Sequence, residues 1–114
     1  MSETPRDRTL HELQAAVHGW ISQWEDGYWS PLSNLARLTE EVGELARGIN
    51  HHHGDKPPKP GEEMGSVAEE LADVLFVLIT LANSLDIDLT EAFAAVMQKY
   101  DIRDAESGRF RRRE

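Results

Sequence analysis

Five carboxylates in this chain have spacings that suggest chemistry: Glu40, Glu41 and Glu44 in one stretch, Glu70 and Asp73 in another. Glu41 with Glu44 and Glu70 with Asp73 are each three residues apart, and on a helix such pairs share one face about a turn apart. Each pair therefore offers two carboxylates to one point. Measured from an apolar stripe of Val42, Leu45 and Ile49, Glu41 falls roughly 70° and Glu44 about 130° to one side. Against a stripe of Leu71, Val74, Leu75, Leu78 and Ala82, Glu70 falls roughly 75° and Asp73 about 135° away in the same rotational sense. Consecutive helices joined by a short connection run antiparallel, and flanks displaced in the same sense then face one cleft. The depths agree as well, each pair standing roughly 13 Å from the connection. Four carboxylates over an apolar seam repel one another unless a cation or shared protons offset the charge. Oxygen donors without His or Cys point to a hard ion, Mg²⁺ with Mn²⁺ as a substitute, and such an ion keeps positions open for substrate phosphates. Phosphate-ester chemistry is the leading class. Either pair alone would suit a solvated helix face; the match in spacing, flank and depth argues for a site.

The elements that must position these acids are helical. Four stretches carry apolar residues three and four apart and none alternates for long, so the fold class is all-α. The first helix opens at Thr9, with Glu12 at capping-box spacing, carries Leu10, Leu13, Val17, Trp20, Ile21 and Trp24, and ends near Gly27. Ser30 and Pro31 suit the N-cap and first position of the second helix. From about Asn50 to Gly61, three prolines and two glycines predict a hairpin connection that also holds His51, His52 and His53 as solvated loop residues. The third helix is expected from roughly Glu62 to Leu85 and is apolar on several sides, which one protomer alone does not cover. A break at Asp86, Ile87 and Asp88 precedes a fourth helix with Asp88 and Glu91 at capping-box spacing. Residues 105–114 read as an Arg-rich solvated tail beyond a domain of residues 1–104.

Composition narrows the function classes. At 114 residues the chain is one domain's worth. It has no cysteine, which excludes disulfides, thiolate metal sites and cysteine nucleophiles and makes the cytoplasm the expected compartment. Twenty-one acidic residues against 12 basic ones give a net charge of -9, which disfavours nucleic acid as a partner. The opening MSETPRDRTL lacks a leader's apolar core, and residues 74–82, the longest near-apolar run, fall far short of the roughly 20 a membrane span needs. Neither secretion nor a membrane partner is expected.

The run from Leu38 through Glu40, Glu41, Val42, Gly43, Glu44 and Leu45, followed by Glu69, Glu70, Leu71, Ala72, Asp73 and Val74, resembles the MazG-type nucleotide pyrophosphohydrolases of the all-α NTP pyrophosphatase superfamily, whose signature is EExxE, a spacer, then ExxD. Tyr28 to Leu32, Asn50 and His51 with Gly54, Leu81 to Leu85, and Lys99 and Tyr100 with Arg103 and Asp104 are similar to the small YpjD-like subgroup. The resemblance implies Mg²⁺-dependent hydrolysis of a nucleoside triphosphate between its α and β phosphates, with Glu41, Glu44, Glu70 and Asp73 as metal ligands. It also implies that Glu40 joins the cluster or orients water, that Asn83 contacts substrate, and that the protein is a homodimer or homotetramer built on four-helix bundles. Glu40 or Glu44 is then the catalytic base.

Lys99 and Arg103, four apart on one helix face, would supply cations to the β and γ phosphates, the plain alternative being a solvated pair near a helix C-terminus. Trp24 and Trp29, near the turn, are candidates for stacking on a base, whereas Trp20 is expected in the core. The competing reading is a non-catalytic helical interaction module, which predicts no divalent-ion dependence. A di-iron bundle needs Glu-x-x-His pairs, and none is present.

Overall fold

The computed structural model describes residues 7–114; the first six residues, part of the opening read above for a leader, lie outside the described residues. It comprises α1 (Leu10–Ser22), α2 (Pro31–His53), α3 (Val67–Ser84), α4 (Leu89–Tyr100) and a π-helical turn over Asp101–Glu106, with no strand among the described residues. The all-α expectation holds.

Most helix starts follow the side chains that satisfy orphan backbone donors. The Glu12 amide donates to the Thr9 hydroxyl at 3.1 Å while the Thr9 amide donates to the Glu12 carboxylate at 3.0 Å, completing the capping box. Ser30 accepts from the Ser33 amide at 3.2 Å with Pro31 in the first turn, and Asp88 accepts from the amides of Thr90 and Glu91. Between α3 and α4 the chain turns through a Schellman motif, in which the Ile87 amide reaches the Ala82 carbonyl at 2.9 Å and that of Asp86 the Asn83 carbonyl at 3.1 Å. Asp86 sits at φ 58°, a left-handed conformation that a short polar side chain tolerates.

Four boundaries correct the expectations. Helix α2 continues through His53, so His51, His52 and His53 form its last turn and not a loop. The first proline of the connection, Pro57, lies too far on to break that turn, and residues at a helix C-terminus benefit from positive character. Helix α3 begins at Val67 and not near Glu62, because Ser66 caps it by accepting from the Glu69 amide at 3.3 Å. Helix α1 ends at Ser22, short of Gly27, and at the other end of the chain helical backbone runs on to Glu106.

Packing differs from the sequence reading in one respect that governs the site. Helix α3 lies mainly on α2 and less extensively on α1, which in turn touches α4. On α2 a sheltered row runs through Asn34, Leu38, Glu41, Leu45 and Gly48, spaced four and three apart, with Arg37 and His51 also sheltered, whereas Leu35, Val42 and Ile49 are exposed. On α3, Glu70, Val74, Val77 and Leu81 are sheltered while Leu71, Leu75 and Leu78 are exposed. The stripes expected to form the seam thus belong largely to the outside of the protomer, and the seam is rotated towards the acids. Few hydrophobic residues are fully buried: Val17, Val77, Ile79 and Ala82.

Candidate functional site

The rotated seam places carboxylates at the contact between α2 and α3. One oxygen from each of Glu41, Glu70 and Asp73 lies within 4.8 Å of the others, with Glu41 and Glu70 half-buried and Asp73 exposed. Helical pairing explains the meeting: Glu41 is on the sheltered face of α2, Glu70 and Asp73 are a turn apart on α3, and the helices run in opposite directions. Gly48 makes room for Glu70, since a Cβ there would stand 3.8 Å from its Cγ. Gly65, just before α3, approaches from the other side, where a Cβ would lie 3.4 Å from Glu70 Oε1.

Electrostatics record the crowding. The Glu70 carboxyl is pushed above the usual glutamate range, first by loss of water and then by the charges of Asp73, Glu44 and Glu41, with Arg47 acting in opposition. A donor set of three carboxylates with no His or Cys suits a hard divalent cation, and ligands on opposite sides of Mg²⁺ stand about 4.2 Å apart, a span this cluster accommodates. Glu44 is half-exposed and close enough to raise Glu70, but its carboxylate is bonded to Arg47 and it is not in the three-oxygen cluster. Glu40 is exposed and also outside that cluster.

One turn along the same seam the surroundings become aromatic. A cavity of about 270 Å³ has Trp20, Trp24, Asp26, Tyr28, Trp29, Asn34, Arg37, Phe76 and Thr80 among its lining residues. Arg37 is four residues before Glu41 and Phe76 three after Asp73, so cavity and acids sit about 5–10 Å apart on one side of the helix pair. The Arg37 guanidinium lies 5.8 Å from the ring centres of both Trp29 and Phe76. Asn34 is buried, with its amide donating to the Trp29 carbonyl at 3.2 Å. Trp24 and Trp29 therefore sit where ring stacking is possible. Trp20 corrects the expectation of a core residue: it is 55% exposed and packs edge-on against Trp24, with ring centres 5.5 Å apart.

Other residues singled out from sequence lie elsewhere in the protomer. Asn83 is near the C-terminal end of α3, where its Oδ1 accepts from Gln14 at 2.9 Å and its amide donates to the Gln14 carbonyl and the Tyr28 hydroxyl. The Gln14 amide also donates to the Ile87 carbonyl and its oxygen accepts from the Leu89 amide, so this polar knot ties α1, α3 and the start of α4 together. It borders an open cavity of about 660 Å³ remote from the acids. Lys99 is on α4 and Arg103 on the π turn; both stand over the Tyr100 ring, and Arg103 is bonded twice to Asp104, at 2.8 and 3.0 Å. Arg37 and Arg47, which the sequence reading passed over, are the cations flanking the acids: one lies four residues before Glu41, the other three after Glu44. That spacing was the available signal.

Comparison with known proteins identifies the family. Residues 29–107, more than half of the 114-residue chain, match the family described as the MazG nucleotide pyrophosphohydrolase domain. YpjD of Bacillus subtilis is 55% identical over 98 residues, covering 86% of this chain and 88% of that protein. Its crystal structure matches with a TM-score of 0.76, over 85% of this chain and 99% of that one. The crystal structure of the Bacillus-conserved MazG protein, a nucleotide pyrophosphohydrolase, matches with a TM-score of 0.75 at 46% identity, over 90% of this chain and 99% of that one. Mouse dCTP pyrophosphatase 1 is 33% identical over 102 residues, 83% of this chain but only 57% of the mouse protein. A non-catalytic helical module is thereby set aside. With Glu41 of its EExxE run meeting Glu70 and Asp73 of its ExxD run across α2 and α3, the chain belongs to the MazG nucleotide pyrophosphohydrolase family, hydrolases that act on nucleotide pyrophosphate bonds.

Proposed function

We propose that the protein is a Mg²⁺-dependent nucleoside triphosphate pyrophosphohydrolase that cleaves NTP or dNTP between the α and β phosphates, releasing a monophosphate and pyrophosphate. The observation that carries this reading is the placement of the Glu41, Glu70 and Asp73 oxygens beside an aromatic cavity along one seam. A nucleoside triphosphate has the same polarity, with a flat ring at one end and anionic phosphates at the other. Glu41, Glu44, Glu70 and Asp73 would hold the ion, with Mn²⁺ as a substitute. When bound, the ion offsets phosphate charge and makes water acidic enough to react near neutral pH. The chain's own part is then positioning and proton transfer. Trp24 and Trp29 bind the base by stacking, and Glu40 or Glu44 takes the proton of the attacking water on a carboxylate oxygen. Asn83, bonded to the hydroxyl of Tyr28 in the wall of that cavity, would contact substrate from the base side, and Lys99 and Arg103 would supply cations to the β and γ phosphates if a neighbouring protomer brings them to the acids.

The protein is also proposed to work as a homodimer or homotetramer completing a four-helix bundle. Its radius of gyration is 18.1 Å, against about 13 Å for a compact chain of this length. Its accessible surface is 9321 Å², against roughly 6300 Å² for a monomer of this mass. The exposed stripes on α2 and α3 are part of that surface, and a second copy would cover them. We also propose that the pyrophosphohydrolase unit spans residues 1–104, with the Arg-rich residues 105–114 as a solubilising appendage. No helix among the described residues is long and apolar enough to cross a membrane, and house-cleaning of nucleotide pools in the cytoplasm suits such a chain.

A panel of canonical and modified nucleoside triphosphates, incubated with Mg²⁺ and scored for pyrophosphate against orthophosphate, tests the reaction. Pyrophosphate with the matching monophosphate is expected; orthophosphate alone would overturn the α–β assignment.

A further inference from the structure

The two cations expected from sequence to meet the phosphates are held against Tyr100, away from the acids of their own protomer. Arg47 is differently placed. Its guanidinium donates to Glu44 Oε2, and another of its nitrogens lies 3.6 Å from Glu62 Oε2 in the connection between α2 and α3. Glu62 is itself anchored: the Lys59 amide donates to Oε1 at 3.0 Å, and Nε2 of His51, whose side chain is nearly buried, lies 3.6 Å from the same oxygen. Among the influences on Glu70, Arg47 is the one that opposes the surrounding acids. The connection thus holds a guanidinium beside the acid cluster, and the side chain keeps about half of its exposure.

We propose that Arg47 is a substrate-positioning residue that exchanges partners: it restrains Glu44 here, and passes to the phosphate oxygens of the nucleotide when Glu44 turns towards the divalent ion. This rests on the pyrophosphohydrolase reading above. An exposed ion pair such as Arg47 with Glu44 is weakly held and readily exchanged. Glu44 is the next carboxylate beyond the three that already converge, on the same helix as Glu41 and one turn further on. Its departure would free a planar fork of N–H donors, the geometry that matches phosphate oxygens. Glu62 keeps that fork near the seam, so partner exchange requires only rotation of a side chain.

The test compares wild type with Arg47→Ala and Arg47→Lys by calorimetry. One titration uses Mn²⁺ alone; the other uses a non-hydrolysable α,β-methylene nucleoside triphosphate in saturating Mg²⁺. Arg47→Ala is expected to bind Mn²⁺ at least as tightly as wild type, since Glu44 is released and a competing charge removed. The same variant is expected to bind the nucleotide about tenfold or more weakly, as for a lost hydrogen bond between charged groups. Turnover should follow, with the loss mainly in KM, and Arg47→Lys should recover part of it. Parallel weakening of metal and nucleotide, or unchanged nucleotide affinity, would overturn the exchange. Wild-type protein that neither binds Mn²⁺ nor releases pyrophosphate would instead fail the underlying reading, which keeps the two outcomes apart.

Discussion

Gly48 and Glu70 share one small space between α2 and α3: a Cβ on Gly48 would stand 3.8 Å from Glu70 Cγ, an ordinary contact distance. The acid can enter the seam because its neighbour on the opposite helix has no side chain. Alanine fits there, and replacing a mid-helix glycine is worth about 1 kcal/mol. Gly48→Ala should therefore melt about 4 °C higher with activity retained. Leucine does not fit, so Gly48→Leu should displace Glu70 and weaken divalent-ion binding roughly ten- to hundredfold, the range for a lost supporting contact. Thermal melts and Mn²⁺ titration read both variants.

Glu41→Gln and Asp73→Asn remove charges from a cluster whose members repel one another. Each should lower turnover by about a thousandfold, because several kcal/mol of charge stabilisation goes with the ion. Each should still fold, with a melting temperature in the absence of metal equal to wild type or higher. Wild-type rates in either variant would remove that residue from the ligand set.

Glu70 predicts a pH dependence of stability for the metal-free protein. Partial burial, then the acids around it, hold its carboxyl above the usual glutamate range, and unfolding abolishes those influences. The folded state therefore binds this proton more tightly. The resulting stabilisation is complete below the ordinary glutamate pKa, about 4.3, and is lost as pH climbs through the raised value. Melting temperature should fall over that interval, and Glu70→Gln should flatten the fall and melt higher at neutral pH. Superimposable pH profiles for the two proteins would contradict the prediction.

Val42 and Leu75, 47% and 42% exposed, stand on the outer stripes of α2 and α3. A buried aliphatic side chain contributes about 1.5–3 kcal/mol, so Val42→Glu or Leu75→Glu should weaken self-association tenfold or more. Light scattering should show the change as a shift towards monomer. A monomeric wild type would remove the proposed assembly.

Trp29 and Asn83 were both candidates for substrate contact, and the structure separates their expected phenotypes. Trp29 lines the aromatic cavity, where losing a stacked ring costs about 1–3 kcal/mol, so Trp29→Ala should raise KM roughly 5- to 150-fold. Asn83 joins α1 to α3 through bonds to Gln14 and Tyr28, so Asn83→Ala should cost about 1–3 kcal/mol of stability in the protomer. Steady-state kinetics and melting curves of the two variants make the comparison.

Much of the site was legible before any coordinates. Thr9, Ser30 and Asp88 announced their helices because capping is a local interaction, decided within three or four residues. Glu41, Glu70 and Asp73 could be matched by spacing because helix period and antiparallel pairing leave little freedom. The end of α2 was less legible: three prolines mark a stop, but they do not say how many residues before them remain helical.

Tertiary structure alone decided which apolar face became the seam. Both α2 and α3 carry more apolar circumference than one contact can use, and period by itself cannot rank Val42 and Ile49 against Leu38 and Leu45. The fold gave the inside to the row containing Glu41 and Gly48 and left Leu35, Val42, Ile49, Leu71, Leu75 and Leu78 exposed. It likewise set Lys99 and Arg103 apart from the acids. How helices cross, and what remains outside, depends on the packing of all their side chains together, which no local spacing contains.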